Sequence, residues 1–247
     1  MNSLANDLAK IVGDRGISLL ETGIQIARDV RRLQRYCSFR WETRNAAITI
    51  PDTPIFAPQD DQWFREQLAK TEFYLEFGTG ASTLLAAQAR VTTIAVESDP
   101  HFAEALKQAL PPDHDITVIA ADVGLTGAWG YPVFTRKTSK RLEGWRSYTS
   151  DAFDLLNTKQ LFPDFILVDG RFRAACALAS AANAAKQSAN TTIMFDDYAG
   201  RAFYHYVEEY LGKPEMMERA AIFKIADGVL EAPISSETLQ SAQEDFR

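Results

Sequence analysis

From Phe73 onward the chain alternates short apolar runs with helical stretches, and few architectures accommodate that alternation. Strands are expected at Phe73–Phe77, Thr92–Glu97, Ile116–Ala120, Asp164–Val168 and Thr191–Phe195. Helices are expected between and after them, at Ser82–Ala89, Pro100–Ala109, Asp151–Lys159, Phe172–Gln187 and Arg201–Leu211. Strands joined by helical crossovers run parallel, so the expected fold is α/β, a doubly wound Rossmann-like sheet. The Ala-rich stretch Ala174–Ala185 combines high helix propensity with side chains small enough for close packing on a sheet. Near the end, Ala220–Ile225 and Val229–Ile234 flank Asp227-Gly228, which signals an antiparallel hairpin closing a mostly parallel sheet.

The segment before Phe73 reads differently. Ile17, Leu20, Ile24 and Ala27 recur at helical spacing, and Arg28, Arg31, Arg32 and Arg35 gather where cations suit the end of a helix. This N-terminal helical extension packs on the domain, or forms a homodimer, or docks on an acidic partner. Residues 1–58 are therefore taken as extension and connector, and 59–247 as the main domain, with Asp60 or Asp61 capping a short helix through Leu68. The formal charge of −7 argues against a general nucleic-acid binder. No apolar run is long enough to span a bilayer, and no signal peptide is apparent, so no membrane partner is expected. Cys37 and Cys176 lack metal-type spacing and suit a reducing, cytoplasmic setting.

The chemistry concentrates at strand ends. The first strand runs into Glu76-Phe-Gly-Thr-Gly-Ala-Ser82, where Gly78 and Gly80 allow a tight turn and close approach of backbone to a ligand. Such turns usually receive pyrophosphate, which Glu76 would repel, so the ligand should be cationic where it meets that carboxylate. Glu97, at the end of the second strand, suits the two hydroxyls of a ribose, and Asp122, after the third, suits an adenine amino group. Three acids on three successive strand ends point to an adenosine ligand that is positively charged and carries no phosphate. With this motif the chain resembles the class I S-adenosylmethionine-dependent methyltransferases, over roughly Phe73 to Ile234. The resemblance implies S-adenosylmethionine as cofactor, held by Glu76, Gly78, Gly80, Ser82, Glu97 and Asp122.

Asp169 follows the fourth strand and Asp196 and Asp197 the fifth, on adjacent strand ends of the ligand-binding rim. Three carboxylates so placed suit Mg²⁺. The pair of motifs is similar to that of metal-dependent O-methyltransferases of the catechol and macrolide-sugar types, which implies Asp169, Asp196 and Asp197 as metal ligands. The sugar-modifying enzymes carry an acid where this chain has Arg171, and a guanidinium cannot act as general base. The base then lies elsewhere, with Asp169, Asp196 and His205 as candidates, or the acceptor needs none. Internal pairing of the aspartates with Arg171 or Arg173 is the alternative to a metal.

Between the third and fourth strands, Val123 to Pro163 interleaves Trp129, Tyr131, Phe134, Trp145 and Tyr148 with Arg136, Lys137, Lys140, Arg141 and Arg146. Long connections of this kind tend to be functional, so a lid over an acceptor site is expected, with Trp129, Arg171 and Arg173 facing an anionic or polyhydroxylated acceptor. Gly124–Pro132 together with Asp169–Arg173 also resembles bacterial methyltransferase-like proteins. The leading expectation is methyl transfer to an oxygen of a small molecule or glycan. A non-catalytic module of the same fold is the second reading. A nicotinamide-dependent oxidoreductase, disfavoured by Glu76 and Thr83, is the third.

Overall fold

Strands β1 (Phe73–Phe77) and β4 (Phe165–Val168) are buried along their whole length, the pattern of strands covered on both faces. They lie side by side at the centre of a seven-stranded sheet, described here from a computed structural model of residues 22–38, 40–41 and 48–247. With β2 (Thr92–Glu97), β3 (Ile116–Ala120), β5 (Thr191–Phe195), β6 (Glu215–Met216) and β7 (Ala221–Ile225), the order is β3-β2-β1-β4-β5-β7-β6. Strands β1 to β5 run parallel, and β7 pairs antiparallel with both β5 and β6. The chain therefore winds outward from β1 to β3, returns, and winds the other way from β4. Ligands of open α/β sheets bind at such a reversal, beyond the carboxyl ends of the strands.

Alternation divides the sheet into two faces. Phe73, Leu75 and Phe77 of β1 join Ile166 and Val168 of β4 and Phe195 of β5 in one cluster, under α5 (Ser139–Lys159), α6 (Arg173–Gln187) and α8 (Ser236–Gln243). Tyr74, Phe165, Leu167 and Met194 form the opposite cluster, with Phe64 and Leu68 of α2 (Pro58–Leu68) and Ala86 of α3 (Ala81–Ala89). α4 (Pro100–Ala109) starts on Asp99, whose carboxylate accepts from the His101 and Phe102 N–H groups. A second unit comprises the N-terminal helix α1, residues 22–38 and 40–41, with Val133–Thr135. On α1, Ile24, Ile26, Val30 and Leu33 are exposed; Ile17 and Leu20 lie outside the described residues. Among the described residues, 48–132 and 136–247 make up the sheet-containing unit.

Four expectations are corrected. Val123–Pro163 is not a lid throughout: its second half is α5, whose Trp145, Tyr148, Thr149, Ala152, Phe153 and Leu156 are buried in a helical stripe against the sheet. The hairpin joins β6 to β7 across Met217–Ala220, and Val229–Ile234 forms no strand. Asp227 and Gly228 do turn the chain, both at positive φ, but against the end of α6, where Gly228 N–H donates to the Ala189 carbonyl at 3.0 Å. Asp60 does not cap α2. Fully buried, it accepts from the N–H groups of Glu218, Arg219 and Ala220, and so holds the β6–β7 turn. Finally, Arg201–Leu211 is a short 3-10 stretch, Ala202–Val207, followed by the single turn α7 (Glu208–Leu211).

Candidate active site

Gly78 sits at the reversal of winding with φ +95°, and a Cβ there would lie 2.5 Å from the Gly170 backbone. The turns after β1 and β4 thus touch, which only glycines at both positions permit. The N–H groups of the first turn are already spent. Gly78 donates to the Val96 carbonyl (2.9 Å), Thr79 to Glu97 Oε2 (3.2 Å) and Gly80 to Thr83 Oγ1 (3.0 Å). A pyrophosphate cradle uses such donors, so their engagement favours a ligand without phosphate at these three residues.

Glu76 differs from the expectation. It lies on the same face as Tyr74, is fully buried, and accepts from Tyr74 Oη (3.0 Å), Ser82 Oγ (2.8 Å) and, by a short contact, Thr83 Oγ1. Since Thr83 Oγ1 also takes the Gly80 N–H, the carboxylate clamps the first turn of α3 to β1 from beneath. Glu76 and Ser82 shape the turn rather than facing a ligand's cationic group. Burial pushes the Glu76 carboxyl up to about 7 despite three hydroxyl donors.

Glu97 stands at the carboxyl end of β2, but its oxygens are engaged. Oε1 accepts from Ser98 N–H (2.7 Å) and Asp99 N–H (2.8 Å), and Oε2 from Thr79 Oγ1 (2.7 Å). The Thr79 Oγ1 contact to Oε2 is the only one of these made by a side-chain hydroxyl. Asp122 is exposed beyond β3, with Oδ1 accepting from Gly124 N–H (3.1 Å), and its carboxylate stays open to an outside donor. Gly80 borders open space. Two acids and a glycine turn whose Gly78, Thr79 and Gly80 N–H groups are engaged fit an uncharged or cationic nucleoside better than a phosphate at that turn. Over the end of β2, Gly130 packs on Ser98, and Thr126 Oγ1 donates to Asp99 (3.1 Å). Trp129, at φ 59°, is 75% exposed on this loop.

The structure brings Asp169, Asp196 and Asp197 together as expected and supplies the cation itself. Arg173, with its side chain 4% exposed, donates Nη2 to Asp169 Oδ1 (2.8 Å) and lies 3.8 Å from Asp196 and 3.6 Å from Asp197. It also donates to the carbonyls of Gly170 (3.1 Å), Asp169 (3.0 Å) and Asp196 (2.6 Å). Arg219 reaches Asp196 (3.4 Å) and Asp197 (3.1 Å), and Arg201 pairs with Asp197. Guanidinium groups thus fill the position between the carboxylates that a metal would take. Among the described residues no group of three His, Cys, Asp or Glu side chains forms a metal cage. The residues do not fit Mg²⁺. Arg173, expected to face the acceptor, is a buried tie between the ends of β4 and β5.

Burial works against the Arg173 charge, but Asp169 and Asp196 outweigh it and raise its pKa. Burial, then the Asp169 charge, pushes the Asp196 carboxyl up to about 8 although Arg173 and Arg219 pull it down. His205 is not part of this cluster. It is exposed, its ring stacks on Tyr198 at 4.8 Å, and Nε2 lies 3.4 Å from the Tyr198 carbonyl. Arg171, by contrast, is buried, with its guanidinium 4.1 Å over the Tyr131 ring.

These two acids set an expected pH dependence of stability. Folded, they hold protons up to about 7 and 8; unfolded, they release them near their ordinary values of 4.5 and 3.8. Between those limits the native state binds more protons, so their contribution is full below about pH 4 and is lost as pH rises through 7 and 8. The urea midpoint should therefore fall from pH 5.5 to pH 8.5. Glu76→Gln with Asp196→Asn should flatten that slope, and an unaltered slope in the double variant would refute the assignment.

The geometry defines a Rossmann-like α/β protein with Glu97, Asp122 and the Gly78–Gly80 turn at neighbouring strand ends. No family model and no curated protein matches the chain. Among solved structures, a methyltransferase-like protein from Silicibacter pomeroyi is 32% identical to it, with a TM-score of 0.63. The alignment covers 80% of this chain and 100% of that one. The chain belongs to the class I S-adenosylmethionine-dependent methyltransferase family, with this methyltransferase-like relative. The N-methyltransferase NodS from Bradyrhizobium japonicum, in complex with S-adenosyl-L-homocysteine, matches more remotely, at 14% identity and a TM-score of 0.40 over 76% of this chain and 97% of that one. Among the described residues no helix is long and apolar enough to cross a membrane.

Proposed function

We propose that the protein binds S-adenosylmethionine across the carboxyl ends of β1 to β3 and methylates an oxygen of a small molecule or glycan. The observation that carries this reading is the turn after β1, whose three N–H groups are consumed internally while Glu97 and Asp122 stand at the next two strand ends. That favours a phosphate-free adenosine ligand over a dinucleotide. When bound, the cofactor supplies an activated methyl group on a sulfonium. The protein's part is to position it: Gly78 and Gly80 admit the ligand close to the backbone, Glu97 takes ribose hydroxyls, and Asp122 takes the adenine amino group.

Asp169 is the proton acceptor of choice for a hydroxyl, because its side chain is 35% exposed at the end of β4 while that of Asp196 is only 3% exposed. Arg173 fixes the orientation of Asp169, and Trp129 offers an exposed apolar platform for the acceptor's ring. The net charge of −7 favours a small acceptor over nucleic acid. The exposed apolar residues of α1 suit a homodimer contact, and the free thiols Cys37 and Cys176 suit the cytoplasm.

Calorimetric titration tests the ligand class: S-adenosylhomocysteine should bind and NAD should not. Glu97→Ala should weaken binding by roughly 1–3 kcal/mol. Asp169→Asn should leave cofactor affinity intact and abolish turnover of hydroxyl acceptors. Binding of NAD alone would reject the reading, and full activity of Asp169→Asn would reject the base.

A further inference from the structure

Two arginines flank Phe172, and the fold treats them in opposite ways. Arg173 makes four hydrogen bonds and three ion pairs. Arg171 is 7% exposed, its Nε and Nη1 are buried, and neither has a hydrogen-bond partner. Among the described residues no carboxylate pairs with it at salt-bridge distance, whereas every aspartate of the neighbouring cluster is paired. A buried guanidinium without an acceptor is one of the costliest arrangements a protein can hold, and the face contact with Tyr131 offsets only part of that cost.

The backbone of Arg171 is fixed. Its N–H approaches Tyr148 Oη (3.4 Å), and its carbonyl accepts from Cys176 Sγ (3.4 Å). Gly170, just before it, abuts Gly78, and Tyr131 follows Gly130, which packs on Ser98 beside Glu97. The guanidinium therefore lies between the ends of β4 and β2, over β1, at the reversal of winding where the crevice opens.

We propose that Arg171, backed by the Tyr131 ring, is a carboxylate-binding subsite of the crevice. A planar guanidinium with spare donors suits a carboxylate, which it can grip through two N–H groups at once. Two sources supply that group: the amino-acid tail of the cofactor, in which case the inference rests on the reading above, or an acidic acceptor.

Calorimetry on the full chain separates them. S-Adenosylhomocysteine carries the amino-acid tail and 5′-methylthioadenosine lacks it, so each is titrated into wild type, Arg171→Gln and Arg171→Lys. For a cofactor source, Arg171→Gln weakens S-adenosylhomocysteine by about 10- to 100-fold, leaves methylthioadenosine unchanged as a control for folding, and Arg171→Lys lies between. For an acceptor source, S-adenosylhomocysteine is unaffected by Arg171→Gln. D-Glucuronate, but not D-glucose at equal ionic strength, then raises the melting temperature of wild type and not of Arg171→Gln, with or without nucleoside. If neither arm depends on Arg171, the subsite is overturned. If wild type binds neither nucleoside, the cofactor reading fails, and the glucuronate arm on the free protein alone decides Arg171.

Discussion

Replacing Arg173 by methionine is expected to destabilise the fold by about 3–5 kcal/mol, the range for removing one partner of a buried ion pair. The side chain is 4% exposed, so its loss leaves charge behind with little water to take its place. Asp196 is the most exposed to this loss in energetic terms, being 2% accessible and already holding its proton to about 8 with the cation present. The fork also joins the Gly170 and Asp196 carbonyls, so the turns after β4 and β5 lose their common tie. Urea denaturation should show a larger loss at pH 8 than at pH 5.5, because protonating Asp196 relieves the repulsion that Arg173 leaves behind. Adding Asp196→Asn should restore part of the stability, since it removes one of the stranded charges. Mg²⁺ should leave the melting temperature of wild type unchanged. A rise that depends on Asp169 would restore the metal in place of the guanidinium.

The choice between a metal and an arginine at that position illustrates how far residue order can be pushed. The spacing of Asp169 and Asp196, one strand–helix–strand apart, tells that they meet on one rim, and they do. It does not tell which cation they meet. Arg173 stands four residues beyond Asp169, on the first turn of α6, and that interval is the hint that favours an internal pair. Glu76 was open to a similar argument. It is two residues from Tyr74 on a strand, so the two share a face, and a carboxylate on Tyr74's buried face must find its partners in α3.

Strands β1 to β5 and β7 were legible to within a residue because continuous apolar runs between helices admit little else, whereas the two-residue, exposed β6 was not. The first half of α5 was hidden by its charges. Lys140, Arg141 and Arg146 on the solvent side drew notice away from Trp145, Tyr148, Thr149, Ala152, Phe153 and Leu156, whose intervals of three and four mark a buried helical face. α8 is announced by Ser235, whose hydroxyl accepts from Thr238 N–H, but eight mostly polar residues give little periodicity to read. The Asp227-Gly228 signal was real as a turn. What lay beyond local sequence was its setting, since the end of α6 is only a neighbour once the sheet is assembled.

Gly78→Ala is the substitution expected to damage structure and ligand binding together. At φ +95° any side chain is strained, which alone costs on the order of 1–3 kcal/mol. The added methyl would also lie 2.5 Å from Gly170 N and Cα, and backbone at that distance must move. Relief by shifting the β4 turn is blocked from the other side, where Tyr148 Oη crowds Gly170 and Tyr148 itself is fully buried against Phe77 and Phe172. The turn after β1 must therefore give way, and with it go the Gly78–Val96 and Thr79–Glu97 hydrogen bonds that hold Glu97 at the crevice. The expected result is a loss of about 3 kcal/mol or more by urea denaturation. S-Adenosylhomocysteine binding should be undetectable even at temperatures where the variant stays folded. Gly80→Ala is the matched control: its Cβ would meet nothing within 4 Å, so its effect on folding should be small. Equal loss of stability in the two variants would show that the contact between the β1 and β4 turns does not set the geometry of the site.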